Sequence, residues 1–210
     1  MPDANPPEPF NPLDKRNLAE TIAMAIGRSE VHQVPPTPFN AAGLYFIYYD
    51  GPFPAYAPLV ASNKDGCVLP IYIGKGMPRG VRKGGGEAKP GRSGIHPRLV
   101  NHANSIGEVA NLEIAHFRCR WLSVDEAFIH LSEILLIRKY QPVWNVVVDG
   151  FGNNPVGGPR QAGKRSEWDT IHPGRRSRAA EGVDPAREGQ LLVAIATHFQ
   201  SNLADFSSEH

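Results

Sequence analysis

Gly43-Leu44-Tyr45-Phe46-Ile47-Tyr48-Tyr49 is dense in aromatic and β-branched side chains, and Asp50-Gly51-Pro52 follows it with turn formers. That composition favours an extended, pleated backbone, so the stretch reads as a strand. A second run, Val68-Leu69-Pro70-Ile71-Tyr72-Ile73, has the same character and stops at Gly74-Lys75-Gly76. Each strand sets a phenol close to a glycine at a strand end, Tyr45 after Gly43 and Tyr72 before Gly74. The link between them, residues 50–67, reads as a surface-exposed insertion. Taken alone, phenols on strands pack a core far more often than they do chemistry.

Working outward, Pro6-Pro7-Glu8-Pro9-Phe10-Asn11-Pro12 cannot form regular structure and reads as an arm. Leu18, Ile22, Ala25 and Ile26 share a helical face that ends at Gly27, which predicts a helix over 14–26. Residues 95–106 contain no breaker except Pro97, tolerated in a first turn, and Gly107 ends that helix. Alternation over residues 111–121 predicts a third strand. Ser123-Val124-Asp125-Glu126 has the spacing of a capping box and opens a helix to about Tyr140, which Pro142 prevents from continuing. Trp144-Asn145-Val146-Val147-Val148 reads as a short extended piece and residues 150–184 as loop. Asp184-Pro185 starts a last helix carrying Leu191, Leu192, Ile195 and Phe199.

Composition excludes several classes. Hydrophobic residues make up 41% and charged residues 20% of the 210-residue chain, which is enough for a folded core. The longest aliphatic run, Ile134-Leu135-Leu136-Ile137, falls far short of the ~20 residues of a membrane span. The N-terminus lacks the basic-then-apolar pattern of a signal peptide, so the chain is expected to be soluble and cytoplasmic. Cys67 and Cys119 are isolated in the sequence, which fits two buried free thiols better than a disulfide or a zinc site.

A net charge of +1 gives no global reason to expect a polyanionic partner, but the charge is unevenly placed. Residues 64–100 carry Lys64, Lys75, Arg79, Arg82, Lys83, Lys89, Arg92 and Arg98 against only Asp65 and Glu87. Residues 160–178 carry Arg160, Lys164, Arg165, Arg175, Arg176 and Arg178 against Glu167 and Asp169. Both segments are rich in Gly and Pro. They are either solvated loops or loops that follow a phosphate backbone. Gly158-Pro159-Arg160-Gln161-Ala162-Gly163-Lys164 matches a phosphate-binding loop only in part, because Arg165 replaces the required Ser or Thr and no strand precedes it.

Two further features carry chemistry. Glu133 sits in the middle of the 124–140 helix among Ile129, Leu131, Ile134 and Leu136, in a helix whose apolar residues lie all round and predict burial on most sides. A carboxylate there needs a metal, a donor network or an arginine such as Arg138 or Arg120. Arg98 and His102 are four apart and share one face of the short helix.

In this order the elements resemble the GIY-YIG nuclease superfamily. A first Gly-x-Tyr strand, a Tyr-Ile-Gly strand, a helix with Arg and His, a later helix with Glu and an Asn beyond it match Gly43-Leu44-Tyr45, Tyr72-Ile73-Gly74, Arg98 with His102, Glu133 and Asn145. Leu44 replaces the middle Ile of the first signature, and the gap from Tyr45 to Tyr72 is longer than in simpler members. The Arg/His pair and the long insertions look most like the Type II restriction branch that cuts CCGCGG. The resemblance implies an α+β fold: a small three-stranded antiparallel sheet flanked by helices, with large loop insertions. It would divide the chain into an N-terminal arm and helix (1–42), a nuclease core (43–148) and a C-terminal extension (149–210).

The same resemblance implies Mg²⁺-dependent hydrolysis of double-stranded DNA, with one Mg²⁺ on Glu133, a phosphate clamp at Arg98 and an orienting Asn145. Tyr45, Tyr72 and His102 all stand as candidate bases: a phenol near pKa ~10 needs its anion stabilised, whereas an imidazole near ~6.5 does not. Lys75, Arg79, Arg82, Lys83, Arg92, Arg160, Lys164 and Arg165 are the candidate DNA contacts, since arginine is the commonest reader of guanine. A palindromic site would imply a homodimer, and a restriction system a cognate DNA methyltransferase. The alternatives are a non-catalytic nucleic-acid-binding module or a repair or mobile-element nuclease of the same fold.

Overall fold

The computed structural model describes residues 14–78, 94–152, 165–175 and 184–208. Their elements run in the order α1 (Lys15–Gly27), β1 (His32–Gln33), β2 (Gly43–Tyr49), α2 (Ala57–Asn63), β3 (Tyr72–Gly76), α3 (Ile95–Gly107), β4 (Phe117–Ser123), α4 (Glu126–Tyr140), α5 (Val143–Val146), α6 (Glu167–Ile171) and α7 (Pro185–Ser208). The sheet is antiparallel with strand order β1-β4-β2-β3. It has four strands where three were expected. The fourth, β1, is only two residues long and pairs His32 with Cys119 and Gln33 with Arg118, too short to leave a periodic signal.

Interior position explains the composition of β2. All seven of its residues are buried, because β4 and β3 cover its edges and helices cover both faces. A strand buried on both sides loses the alternation of a half-exposed one and becomes a continuous apolar run. Leu44, Phe46 and Tyr48 face α1 and α4 through Ile22, Ala23, Ile26, Ile129 and Leu136. Tyr45, Ile47 and Tyr49 face a larger core that includes Leu99 and Ile106 of α3, Trp144, Phe151, Trp168 and Phe199.

Several local readings change. The 50–67 link is packed rather than merely superficial: a 3₁₀ turn at Pro54–Tyr56 and helix α2 bury Tyr56, Leu59 and Asn63. The Asn63 side chain bonds to the backbone of Tyr49 and Leu69 and so ties the insertion to the strand it leaves. Helix α4 is capped by Asp125, whose carboxylate accepts from Ala127 N–H, rather than by Ser123. It is also less buried than expected, with Phe128 51% and Leu131 37% exposed. Residues 143–146 form one helical turn instead of an extended piece, and α6 interrupts the 150–184 loop. Cys67 and Cys119 are buried and free, as expected.

Candidate active site

Tyr45 pairs with Gly74 of β3 on one side and Trp121 of β4 on the other. Its phenol lies across the bare Cα of Gly74: an ideal Cβ there would fall 2.3 Å from Tyr45 Oη. The glycine of the second signature is therefore the floor under the tyrosine of the first. From α3, His102 brings Nε2 to 2.7 Å from Tyr45 Oη. Tyr72, two residues before Gly74, meets the same imidazole edge-on with ring centroids 5.1 Å apart. Phe151 stacks on His102 at 4.4 Å and 17°.

Arg98 stands one turn before His102 on α3, its guanidinium beside both phenols, and Nη2 donates to the Gly152 carbonyl at 3.1 Å. Burial raises both phenols above their ordinary pKa, and the Arg98 cation pulls them back in part. Burial also drives His102 down to about 3, with the cations of Arg98 and Arg175 acting in the same direction. His102 is 2% exposed and Tyr45 is wholly buried, whereas Tyr72 is only half-buried.

Glu133 reaches the edge strand β3 from α4. Its Oε2 accepts from Lys75 Nζ at 2.6 Å, and the same ammonium is 2.7 Å from His130 Nδ1. The ion-pair partner is thus Lys75, not Arg138 or Arg120; Arg120 instead donates to the carbonyls of Gly27 and Gly66. The carboxylate's charge reaches both phenols and raises them further. Asn145 serves the same strand from α5. Its Oδ1 accepts from Ile73 N–H at 2.8 Å and its Nδ2 donates to Ile73 C=O at 2.9 Å. These two bonds satisfy an otherwise open edge between Tyr72 and Gly74.

The sequence elements that looked separate therefore converge: Tyr45, Tyr72, Arg98 and His102 cluster side by side, and Asn145 and Glu133 hold or approach strand β3, which carries Tyr72 and Gly74. A family model, that of the Eco29kI GIY-YIG domain, matches residues 37–199, well over half of the chain. The chain belongs to this GIY-YIG family. It is accordingly a GIY-YIG nuclease with DNA as its substrate, in a family of restriction endonucleases. A search of curated proteins finds no match. No helix among the described residues is long and apolar enough to cross a membrane.

GIY-YIG nucleases generally use divalent metal ions, and the donor set here can be tested for fit. No three His, Cys, Asp or Glu side chains converge among the described residues, so a cation would rest on one carboxylate, that of Glu133, which is 17% exposed. A hard cation that keeps most of its waters and takes one or two carboxylates suits such a site. Glu133, ion-paired to Lys75, is a carboxylate of this GIY-YIG nuclease that could hold one.

Of the candidate DNA contacts, Arg79, Arg82, Lys83, Arg92, Arg160 and Lys164 lie outside the described residues, as does the 158–164 loop. Lys75 is bonded to Glu133 within the site, and Arg165 donates to the Asp169 carbonyl at 3.2 Å. Sequence reasoning missed Phe151 and Gly152, which complete the wall behind His102 and Arg98. Only their tertiary placement, across a turn read as featureless loop, brings them there.

Proposed function

We propose that this nuclease is a Type II restriction endonuclease that hydrolyses double-stranded DNA site-specifically, with Mg²⁺ on Glu133 and a G+C-rich palindrome, CCGCGG, as its target. The observation that carries the reading is the Tyr45–His102 couple, 2.7 Å apart, set beside the Arg98 guanidinium on a wall that Glu133 approaches. Phosphodiester hydrolysis needs a water deprotonated as it attacks phosphorus, a clamp on the phosphate oxygens, and relief of charge on the departing oxygen. Mg²⁺ supplies Lewis-acid charge neutralisation when bound.

Arg98 takes the phosphate, for which its planar fork is suited. Tyr72, the one of the three candidate bases with solvent exposure, meets the water: its phenol loses its proton to solvent and, as phenolate, receives the water's proton. Tyr45 and His102 are too buried to meet the water themselves; His102, held unprotonated by burial, hydrogen-bonds Tyr45 and fixes that phenol beside Tyr72. The Arg98 guanidinium beside Tyr72 favours its phenolate. Asn145 keeps β3, and with it Tyr72 and Gly74, in place.

The enzyme acts as a homodimer on the palindrome, beside a cognate DNA methyltransferase that protects the host sequence. The basic segments 79–92 and 160–165 supply base and backbone contacts. The test is Glu133→Gln with plasmid DNA and Mg²⁺. Retained duplex binding with no cleavage is expected, and cutting at the wild-type rate would remove the metal assignment. Discrete fragments support restriction, smearing a non-specific nuclease, and retarded but intact DNA a binding module. Gel filtration with a single-site duplex should give a dimeric complex.

A further inference from the structure

The turn Gly150-Phe151-Gly152 touches three groups of the candidate site. Phe151 stacks on His102 at 4.4 Å, Gly152 C=O accepts from Arg98, and the Gly152 Cα lies so close to Tyr72 that an ideal Cβ would fall 2.4 Å from its Oη. A single turn thus backs the imidazole, the guanidinium and one phenol together. What fixes the turn lies elsewhere in the chain. Arg175 donates from Nη2 to Gly150 C=O at 3.1 Å and from Nη1 to Phe151 C=O at 3.4 Å.

Arg175 is itself held. Asp169 grips it bidentately, Nε to Oδ1 at 2.6 Å and Nη2 to Oδ2 at 2.7 Å. Its guanidinium lies 4.5 Å over the Trp168 ring, and Ser166 Oγ donates to Asp169 Oδ2 at 2.5 Å. Asp169 is 1% and Arg175 6% exposed. A pair this deeply buried is a poor source of net stability, since desolvation cancels much of its attraction and an apolar pair of equal volume often serves as well. Its five donors in a rigid fork are, on the other hand, suited to holding two carbonyls and a carboxylate in one fixed arrangement.

We propose that Arg175, locked by Asp169, is a positioning residue of the nuclease site, fixing the 150–152 turn and through it the His102 ring plane and the Arg98 guanidinium. The proposal rests on the reading of Tyr45, His102 and Arg98 given under the proposed function. It extends the support of the site past residue 148, within the 37–199 span that the family model matches.

The test uses the full chain with Arg175→Lys, which keeps the charge and loses the fork, and Phe151→Leu, which keeps apolar volume and loses the stack. Ile26→Ala, in the core on the opposite face of the sheet, is the control for lost stability alone. Cleavage of a CCGCGG plasmid with Mg²⁺ is followed under single-turnover conditions, with duplex affinity measured separately in Ca²⁺. A misplacement of about 1 Å at a catalytic group costs about 10²-fold in rate, so Arg175→Lys and Phe151→Leu should each lose roughly that factor at a temperature where all variants are folded. Their duplex affinity should stay within about threefold, while the control keeps its rate. The ¹⁵N resonance of the His102 imidazole should shift in both variants and not in the control.

Rates equal to wild type in Arg175→Lys, or losses that only follow melting temperature as in the control, overturn the proposal. Should wild-type protein cleave no DNA, the nuclease reading fails. The imidazole resonance then still decides the positioning: an unmoved His102 signal overturns it and a shifted one upholds it.

Discussion

Replacing Gly74 by alanine separates a requirement of the site from a requirement of the strand. An isolated glycine in a strand interior costs roughly 0.5–1 kcal/mol relative to alanine, so in the absence of any clash Gly74→Ala should stabilise the protein. The clash reverses the sign. An ideal Cβ would sit 2.3 Å from Tyr45 Oη and 2.4 Å from Cζ, whereas ordinary contact begins at 3.4 Å. The phenol therefore has to move by about 1 Å, and Oη is committed to His102 Nε2 at 2.7 Å. A shift of that size takes the pair out of hydrogen-bonding range and leaves two buried polar atoms unpaired, at about 1–3 kcal/mol. Overpacking adds a comparable 1–3 kcal/mol. The expected outcome is a loss of about 2–5 kcal/mol in urea unfolding and, by the same misplacement, about 10²-fold in single-turnover cleavage. Gly107→Ala is the matched control, since a Cβ there meets nothing within 4 Å; it should leave both quantities unchanged or improve stability slightly. A Gly74→Ala protein with wild-type cleavage and stability would refute the view that Gly74 is the floor of the Tyr45 phenol.

Three further outcomes are expected. His102 and His172 are both buried with folded pKa values of about 3, so the unfolded chain binds their protons first as pH falls below about 6.5, and stability that is complete above that value is lost on the way toward 3; between pH 7.5 and 5 each should cost about 2 kcal/mol. Equal urea midpoints at the two pH values would contradict this. Asn145→Ala strips both partners from the Ile73 backbone and should cost about 2–3 kcal/mol, with hydrogen exchange at the Ile73 amide accelerated more than at core amides of β2. Cys119 is fully buried and its thiol is pushed up to about 12, chiefly by burial, and Cys67 is 8% exposed, so a disulfide reagent at pH 8 should find no fast-reacting thiol in the folded protein and two after denaturation.

What the sequence made legible was whatever a short range of residues decides. The β2 run declared itself because a strand covered on both faces must be apolar throughout, and α3 and the last helix were bounded by glycine and by an Asp-Pro start. The ordered tyrosines, arginine, histidine, glutamate and asparagine could be named because each sits on a regular element whose position follows from its neighbours. Partnership was not legible. Lys75 looked like one more cation of a basic segment, yet it is the ion partner of Glu133, because β3 and α4 bring together residues 58 positions apart. The expectation of a fully buried α4 failed for a related reason. Apolar residues all round a helix predict burial only if something covers each side, and among the described residues nothing covers Phe128.

The electrostatics of the wall bear on how such an enzyme avoids cutting at random. Burial holds both phenols protonated and His102 unprotonated, so in the free protein every proton-transfer group on the wall is neutral. The charge of Glu133 makes a phenolate harder still to form. Under the proposed mechanism, Tyr72 becomes a competent base only once the charge of Glu133 is neutralised, a condition that cation binding together with seated DNA would meet. Specificity would then reside partly in the chemical step and not in affinity alone. A near-neutral chain with modest hold on random duplex fits that division, because discrimination does not require tight binding at every site. Measured on a one-base-mismatched site, single-turnover cleavage should therefore fall by a larger factor than duplex affinity does; equal factors would place the discrimination wholly in binding.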